Sequence, residues 1–431
     1  MQEPINDSLM DPETRRCPFD FYRRLRRDSP VYKLPNTEIY FVATYDLITR
    51  VIKDTETFTS RGKNSKNAPN YCEEADRLME ERGWGRLFND VPTLQNNDPP
   101  SHSLYRKLVA ETFRVSRIRK METYIGDIVE QLLEGFADRR ECDIVEALCI
   151  PLPMYVIADQ LGVARGDFER FKGWSEAFIY ALRPPKPKQE LIRDAEILVE
   201  MQHYMMAVIQ DRRAHPKDDI ISELVTAFYN GERMLTDKEV LSIVEQLLVA
   251  GNETTTNGVA NALLYLSQHL DMQNRLRAEP DRVGDFVEEI LRTESPVVGL
   301  YRTATRDTEL AGVRIPKSAT VMLGFAAANR DESRYDDADI IDIDRPNIAG
   351  HIAFSAGTHH CIGAELARVE LRAAIQAFLR RFRHFSLAVP ERELTYQYMF
   401  ALRGVVKLPL RLQATAPPPS VNFLARDPRP R

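Results

Sequence analysis

Cys361 stands at the end of a loop of small and polar residues, Phe354-Ser355-Ala356-Gly357-Thr358-His359-His360-Cys361-Ile362-Gly363. From Ala364 the chain reads AELARVELRAAIQAFLRRF, with Leu371, Ile375, Phe378, Leu379 and Phe382 at helical spacing. The cysteine is thus expected where unpaired backbone N–H groups meet the positive end of a helix, a setting that favours the thiolate. Gly357 and Gly363 permit a sharp turn and the close approach of something flat. One reading is a buried structural thiol at a helix start. Another is zinc, with His359, His360 and Cys361 as ligands. Zinc sites use ligand pairs at fixed spacing, and the chain has no CxxC and no HxxxH.

Other residues could also do chemistry. Thr236-Asp237-Lys238-Glu239 reads as a capping box opening a long helix over residues 236–270. Its middle holds Ala250-Gly251-Asn252-Glu253-Thr254-Thr255-Thr256, poor helix sequence with a carboxylate and hydroxyls. A local distortion is expected there; the bland alternative is a buried polar patch. His102 and Arg106 are four apart on a helix opened by Pro99 and Pro100, and a lone pair of this kind is more often a solvated face. Glu289 and Arg292 are three apart, which is weak alone.

Taken together, these stretches resemble the cytochrome P450 family. The cysteine loop is similar to the family's FGxGxHxCxG at Phe354, Gly357, His359, Cys361 and Gly363, with Ser355 replacing a glycine. AGNETT at residues 250–255 resembles the oxygen-activating helix, and DPPSHSLYR at 98–106 the segment whose His and Arg bind a haem propionate. Glu289 and Arg292 resemble the family's ExxR, with Arg345 as the later arginine of a buried ionic cluster. The resemblance implies haem b ligated by the Cys361 thiolate, with His102, Arg106, Arg302 and His359 on the propionates. It implies room over the iron at Ala250 and Gly251, and roles in oxygen and proton handling for Glu253 and Thr254, with Thr255 as the alternative hydroxyl. O2 is then the co-substrate. Trp84, Phe88, Leu247, Val297, Val298, Met399 and Phe400 are the candidate pocket residues.

The positioning elements follow the same plan. The expected fold is mainly α with small β-sheets, one domain over residues 1–414, with haem between the long helix and the cysteine loop. Strands are expected at 30–34, 39–43, 308–314, 320–324, 385–389 and 405–412, and helices at 19–27, 45–54, 168–182, 189–213 and 281–292. Residues 59–97 read as an irregular stretch, on its own a surface loop with buried anchors; the resemblance implies that it roofs the substrate pocket. The pair 168–182 and 189–213 reads as a surface helical pair, and the resemblance implies a mobile lid over the substrate channel. Residues 415–431 are Pro- and Arg-rich and read as a flexible tail.

Composition narrows the partners. The 431 residues carry a net charge of −6, against nucleic-acid binding, and their five cysteines form no disulfide framework. No apolar run approaches a membrane span, so a soluble, cytoplasmic, monomeric protein is expected. No flavin or iron–sulfur motif occurs, so electrons are expected from NAD(P)H through a reductase and an acidic ferredoxin. Arg114, Arg117, Arg119, Lys120, Arg368, Arg372, Arg380 and Arg381 could steer that donor, although a charge run is usually a solvated face. The family reading implies oxidation of a C–H bond in a hydrophobic small molecule of terpenoid, steroid or aromatic type. The rival functions are a peroxygenase or isomerase, which tends to lack the acid–alcohol pair, and a haem sensor, which would carry an output module.

Overall fold

A computed structural model describes Leu9 and residues 11–62, 72–180, 186–397, 399 and 401–415. The candidate pocket residue Phe400 and residues 416–431 of the expected tail lie outside the described residues. The chain is mainly helical with small sheets. At its centre runs the long helix Asp237–Gln268. Thr236 Oγ1 accepts from the Glu239 N–H, and Glu239 Oε2 accepts from the Thr236 N–H at 2.7 Å, so the capping box closes. Apolar side chains surround this helix on most sides, which is why it is buried rather than amphipathic.

Gly258 brings the long helix onto the helix after the cysteine, Ala364–Arg381: a Cβ there would meet Leu371 at 3.3 Å. Their contact belongs to the larger core, with Phe378, Phe382 and Phe385 at its centre. Helices Phe168–Tyr180 and Lys188–Ala214 enclose a second core with Trp174, Met205 and Leu247.

The main sheet runs Val31–Lys33, Ile39–Val42, Thr320–Leu323, Leu300–Ala304, Phe58–Thr59 in spatial order. Its strands are antiparallel except for the parallel pair of 320 with 39. The pairing of Arg302 with Val321 fixes where that arginine leaves the sheet. A second sheet joins Phe382–Leu387 to Pro409–Ala414 and Glu141–Asp143.

Several expectations change. Residues 308–314 are not one strand but a hairpin of Thr308–Leu310 and Val313–Ile315, turned at Ala311 and Gly312, both with positive φ. Residues 59–97 are not irregular throughout. Helix Glu73–Arg82 forms there, with acids in its first turn and Ala75 and Met79 buried one turn apart. The middle of the long helix is not broken either. Pro151 opens helix Pro151–Gln160, where its missing N–H is not needed. Among the described residues, no helix is long and apolar enough to cross a membrane.

Candidate active site

The cysteine loop is held by its own backbone. The Cys361 N–H donates to Phe354 O at 2.8 Å, and Ser355 and Gly357 turn the chain with φ of 60° and 64°. A Cβ on Gly357 would meet Ile52 at 3.1 Å, so glycine is needed for space as well as conformation. Cys361 is accessible, yet protein surrounds it closely enough that burial pushes its thiol up. The Gly363 N–H and the charges of Arg106 and Arg368 oppose that shift without reversing it. The helix start alone therefore does not secure a thiolate, and an electrophilic metal at the sulfur would have to complete it. Among the described residues no group of three or more His, Cys, Asp and Glu could hold a metal ion, so zinc finds no ligand set.

Four basic side chains from three separate segments gather beside this cysteine. His102 and Arg106 come from helix Ser101–Thr112, Arg302 from the sheet and His359 from the loop. The His102 and His359 ring centroids are 4.2 Å apart. Burial and then Arg106 lower His102 to about 4. Burial, Arg302 and His102 lower His359 to about 3. Burial also disfavours the charge on Arg106 and Arg302. Neither arginine has a carboxylate at ion-pair distance among the described residues; Arg302 reaches only Tyr301 O, at 2.8 Å. His102 Nδ1 is buried without a hydrogen-bond partner. Cations without an acid at ion-pair distance, beside an orphaned ring nitrogen, are what a dicarboxylate would satisfy, so these residues and the accessible sulfur fit a haem with two propionates.

On the long helix, Ala250 is exposed and Gly251 only half-buried, with Ile157 at ordinary contact distance from where a Cβ would stand. Thr254 Oγ1 donates back to Ala250 O at 2.8 Å, which explains how a threonine is accommodated without a break. Thr255 is buried. Gln397 Nε2 donates to Glu253 Oε1 at 2.5 Å, a contact with no local signature in the sequence.

Glu289 and Arg292 are wholly buried and paired through both carboxylate oxygens at 2.6 and 2.9 Å, with Arg345 Nε at 3.3 Å from Glu289. Arg292 also donates to the carbonyls of Asn329, Ala338 and Ile340. This cluster ties helix Val283–Thr293 to the segment leading into the cysteine loop.

The candidate pocket residues are dispersed. Trp84 packs on His203, its N–H donating to Gln202 Oε1, and Phe88 is half-buried. Leu247 is buried in the second core, and Val297 borders the sheet core. Val298 and Met399 share a small cleft with Leu9 and Tyr22, against the N-terminal segment.

The family model described as cytochrome P450 matches residues 178–414. Cytochrome P450 109 of Bacillus spizizenii is 33% identical, over 94% of each chain. The structure of CYP109Q5 from Chondromyces apiculatus superposes with a TM-score of 0.82 at 32% identity, covering 95% of this chain and 98% of that one. CYP109E1 from Bacillus megaterium, solved in complex with corticosterone, gives 0.79 at 30% identity, over 93% and 99%. The chain belongs to the cytochrome P450 family, and within it to the bacterial type. It is a haem-thiolate monooxygenase by family, using O2 and needing electrons from redox partners.

Proposed function

We propose that this enzyme inserts one oxygen atom of O2 into a C–H bond of a hydrophobic small molecule, with electrons from NAD(P)H delivered by a reductase and an acidic ferredoxin. The observation that carries the reading is the convergence of Cys361 with His102, Arg106, Arg302 and His359, with no carboxylate at ion-pair distance from either arginine among the described residues. The corticosterone held by the Bacillus megaterium relative supports a steroid-like or terpenoid substrate.

Cys361 would ligate the iron, and the four basic side chains would hold the propionates. When bound, haem supplies O2 activation, its thiolate ligand favouring O–O cleavage. Phe354, Gly357 and Gly363 shape the loop for a flat group. Ala250 and Gly251, being small residues, would leave room for the group and its O2. The Thr254 hydroxyl, parked on Ala250 O, is free to turn and orient a proton donor toward O2. Glu253 passes protons inward from solvent. Thr255, being buried, is the weaker candidate for that hydroxyl role. Trp84, Phe88, Leu247 and Val297 remain candidates for the substrate wall.

The test uses the haem-loaded enzyme with a ferredoxin and reductase. Cys361→Ala should lose the red-shifted Soret band of the reduced CO complex. Thr254→Ala should keep that band and its substrate affinity, while product per electron pair falls and hydrogen peroxide rises. A Cys361→Ala protein that kept the band would overturn the ligand, and unchanged coupling in Thr254→Ala would overturn the oxygen role.

A further inference from the structure

Glu253 and Asn257 lie one helical turn apart on the same face of the long helix. The amide of Gln397 spans them. Its nitrogen donates to Glu253 Oε1 at 2.5 Å, and its oxygen accepts from Asn257 Nδ2 at 3.3 Å. A carboxylate cannot face an amide oxygen favourably, so this orientation of Gln397 is fixed by chemistry.

Gln397 is itself held from behind. Its N–H donates to Gly404 O at 2.9 Å, beside the bridge of Tyr396 with Val405. Gly404 is pressed against the long helix, where a Cβ would stand 2.1 Å from Asn257 Oδ1. Asn257 is wholly buried. The place of the Gln397 side chain is therefore set by the pairing of Tyr396 and Gln397 with Gly404 and Val405 rather than by a loop conformation.

A neutral donor suits an acid that must take up and release protons. An amide N–H bonds a carboxylate and the carbonyl oxygen of a carboxylic acid alike, so the contact survives either state. An arginine in its place would lock the charged form. We propose that Gln397 is the positioning residue of the oxygen-activation site, holding Glu253 in place through both protonation states, with Asn257 fixing the far end of its amide. The inference rests on the reading of Glu253 as the proton-supplying acid.

The experiment compares Gln397→Met and Gln397→Glu, alone and in a Glu253→Ala background, all haem-loaded. Methionine keeps the length and removes the amide. Glutamate keeps the shape and the Asn257 contact but replaces the donor by a repelling acceptor, and it serves as well if the methionine variant does not fold. Either change should leave the CO spectrum and substrate affinity intact and slow turnover about tenfold, a fraction of what general acid–base catalysis supplies. In the Glu253→Ala background neither should slow it further. Denaturation midpoints, read without turnover, should be non-additive for Gln397→Met with Glu253→Ala. Equal slowing in both backgrounds, no slowing in either, or additive midpoints would overturn the role. Two failures are separable. If Glu253→Ala turns over like wild type, the acid assignment falls and carries the inference with it. If Glu253→Ala is slow and the Gln397 variants are not, only the inference falls.

Discussion

Arg368 donates Nε and Nη2 to the two carboxylate oxygens of Glu288, at 2.6 and 2.8 Å, and its guanidinium lies 4.5 Å from the centroid of Phe354. Glu288 also faces His351 Nε2 at 3.1 Å. Burial pushes this carboxyl up, but Arg368 and His351 outweigh it and bring it down to about 2. An arginine that sequence alone places in a docking patch is thus committed inward, bracing the first residue of the cysteine loop. Arg368→Met should lose about 1–3 kcal/mol of stability, because it strands a mostly buried carboxylate. Urea denaturation of the loaded enzyme measures it. Wild-type stability would show that the pair braces nothing.

Ion pairs shrink the proposed ferredoxin surface as well. Arg117 is paired with Glu223, Arg372 lies 3.4 Å from Glu365, and Arg380 lies 3.0 Å from Glu130. Arg119 and Lys120 are exposed with no ion pair among the described residues, close to Val115, which is itself exposed. Charge reversal at Arg119 and Lys120 should slow the first reduction by an acidic ferredoxin several-fold at low salt, and less at high salt. Reversal at Arg117 should act mainly on stability. Stopped-flow reduction at two ionic strengths separates these; equal rates for the Arg119 and Lys120 variants at low salt would return both to an ordinary solvated face.

What the sequence made legible was local. The capping box at Thr236, the two prolines before His102 and the glycines around Cys361 each act within a few residues, so their types announce them. What escaped depends on distant partners. Strand Leu300–Ala304 pairs with Thr320–Leu323 and Phe58–Thr59, and no alternation within LYRTA reveals it. Helix Glu73–Arg82 was hidden by surrounding glycines and asparagines, although its acidic first turn was a usable signal. Gln397 reaches Glu253 across 144 positions, and nothing near either residue points to the other. The ionic state of Arg117 and Arg368 likewise depends on acids far along the chain, which is why a charge run overstated the docking surface.

A buried acid outside the site predicts a pH effect. Glu245 is 3% exposed in the long helix and bonded to Gln202 Nε2 at 2.9 Å. Gln202 also reaches Gly85 O and the Trp84 N–H, so this acid sits under the segment leading to Phe88. Burial raises it from 4.5 to about 8, against the opposing Gln202 bond. Between those values the folded chain keeps a proton that the unfolded chain releases. Stability from this residue therefore falls as pH rises through the window. Glu245→Gln should match wild type near pH 4.5 and exceed it near pH 8, by on the order of a few kcal/mol. Parallel denaturation curves across that range would remove the assignment.

Ser355 sharpens the last expectation. It stands where the family pattern has glycine, and its φ of 60° is the left-handed conformation that a Cβ disfavours. Its hydroxyl is buried without a partner. Two costs therefore meet at one residue: a backbone term of about 1–2 kcal/mol and an unsatisfied polar group of similar size. Glycine would remove both, against about 0.5–1 kcal/mol of added entropy in the unfolded chain. Ser355→Gly should therefore stabilise the loaded enzyme by about 1 kcal/mol or more, with the CO spectrum unchanged. Ser355→Ala separates the two terms, because it deletes the hydroxyl and keeps the Cβ. It should gain only part of what glycine gains. If alanine equals glycine, the turn carries no strain and the hydroxyl is the whole cost. If both variants are less stable than wild type, the hydroxyl has found a partner in the loaded protein, and serine at this turn is a contact rather than a compromise.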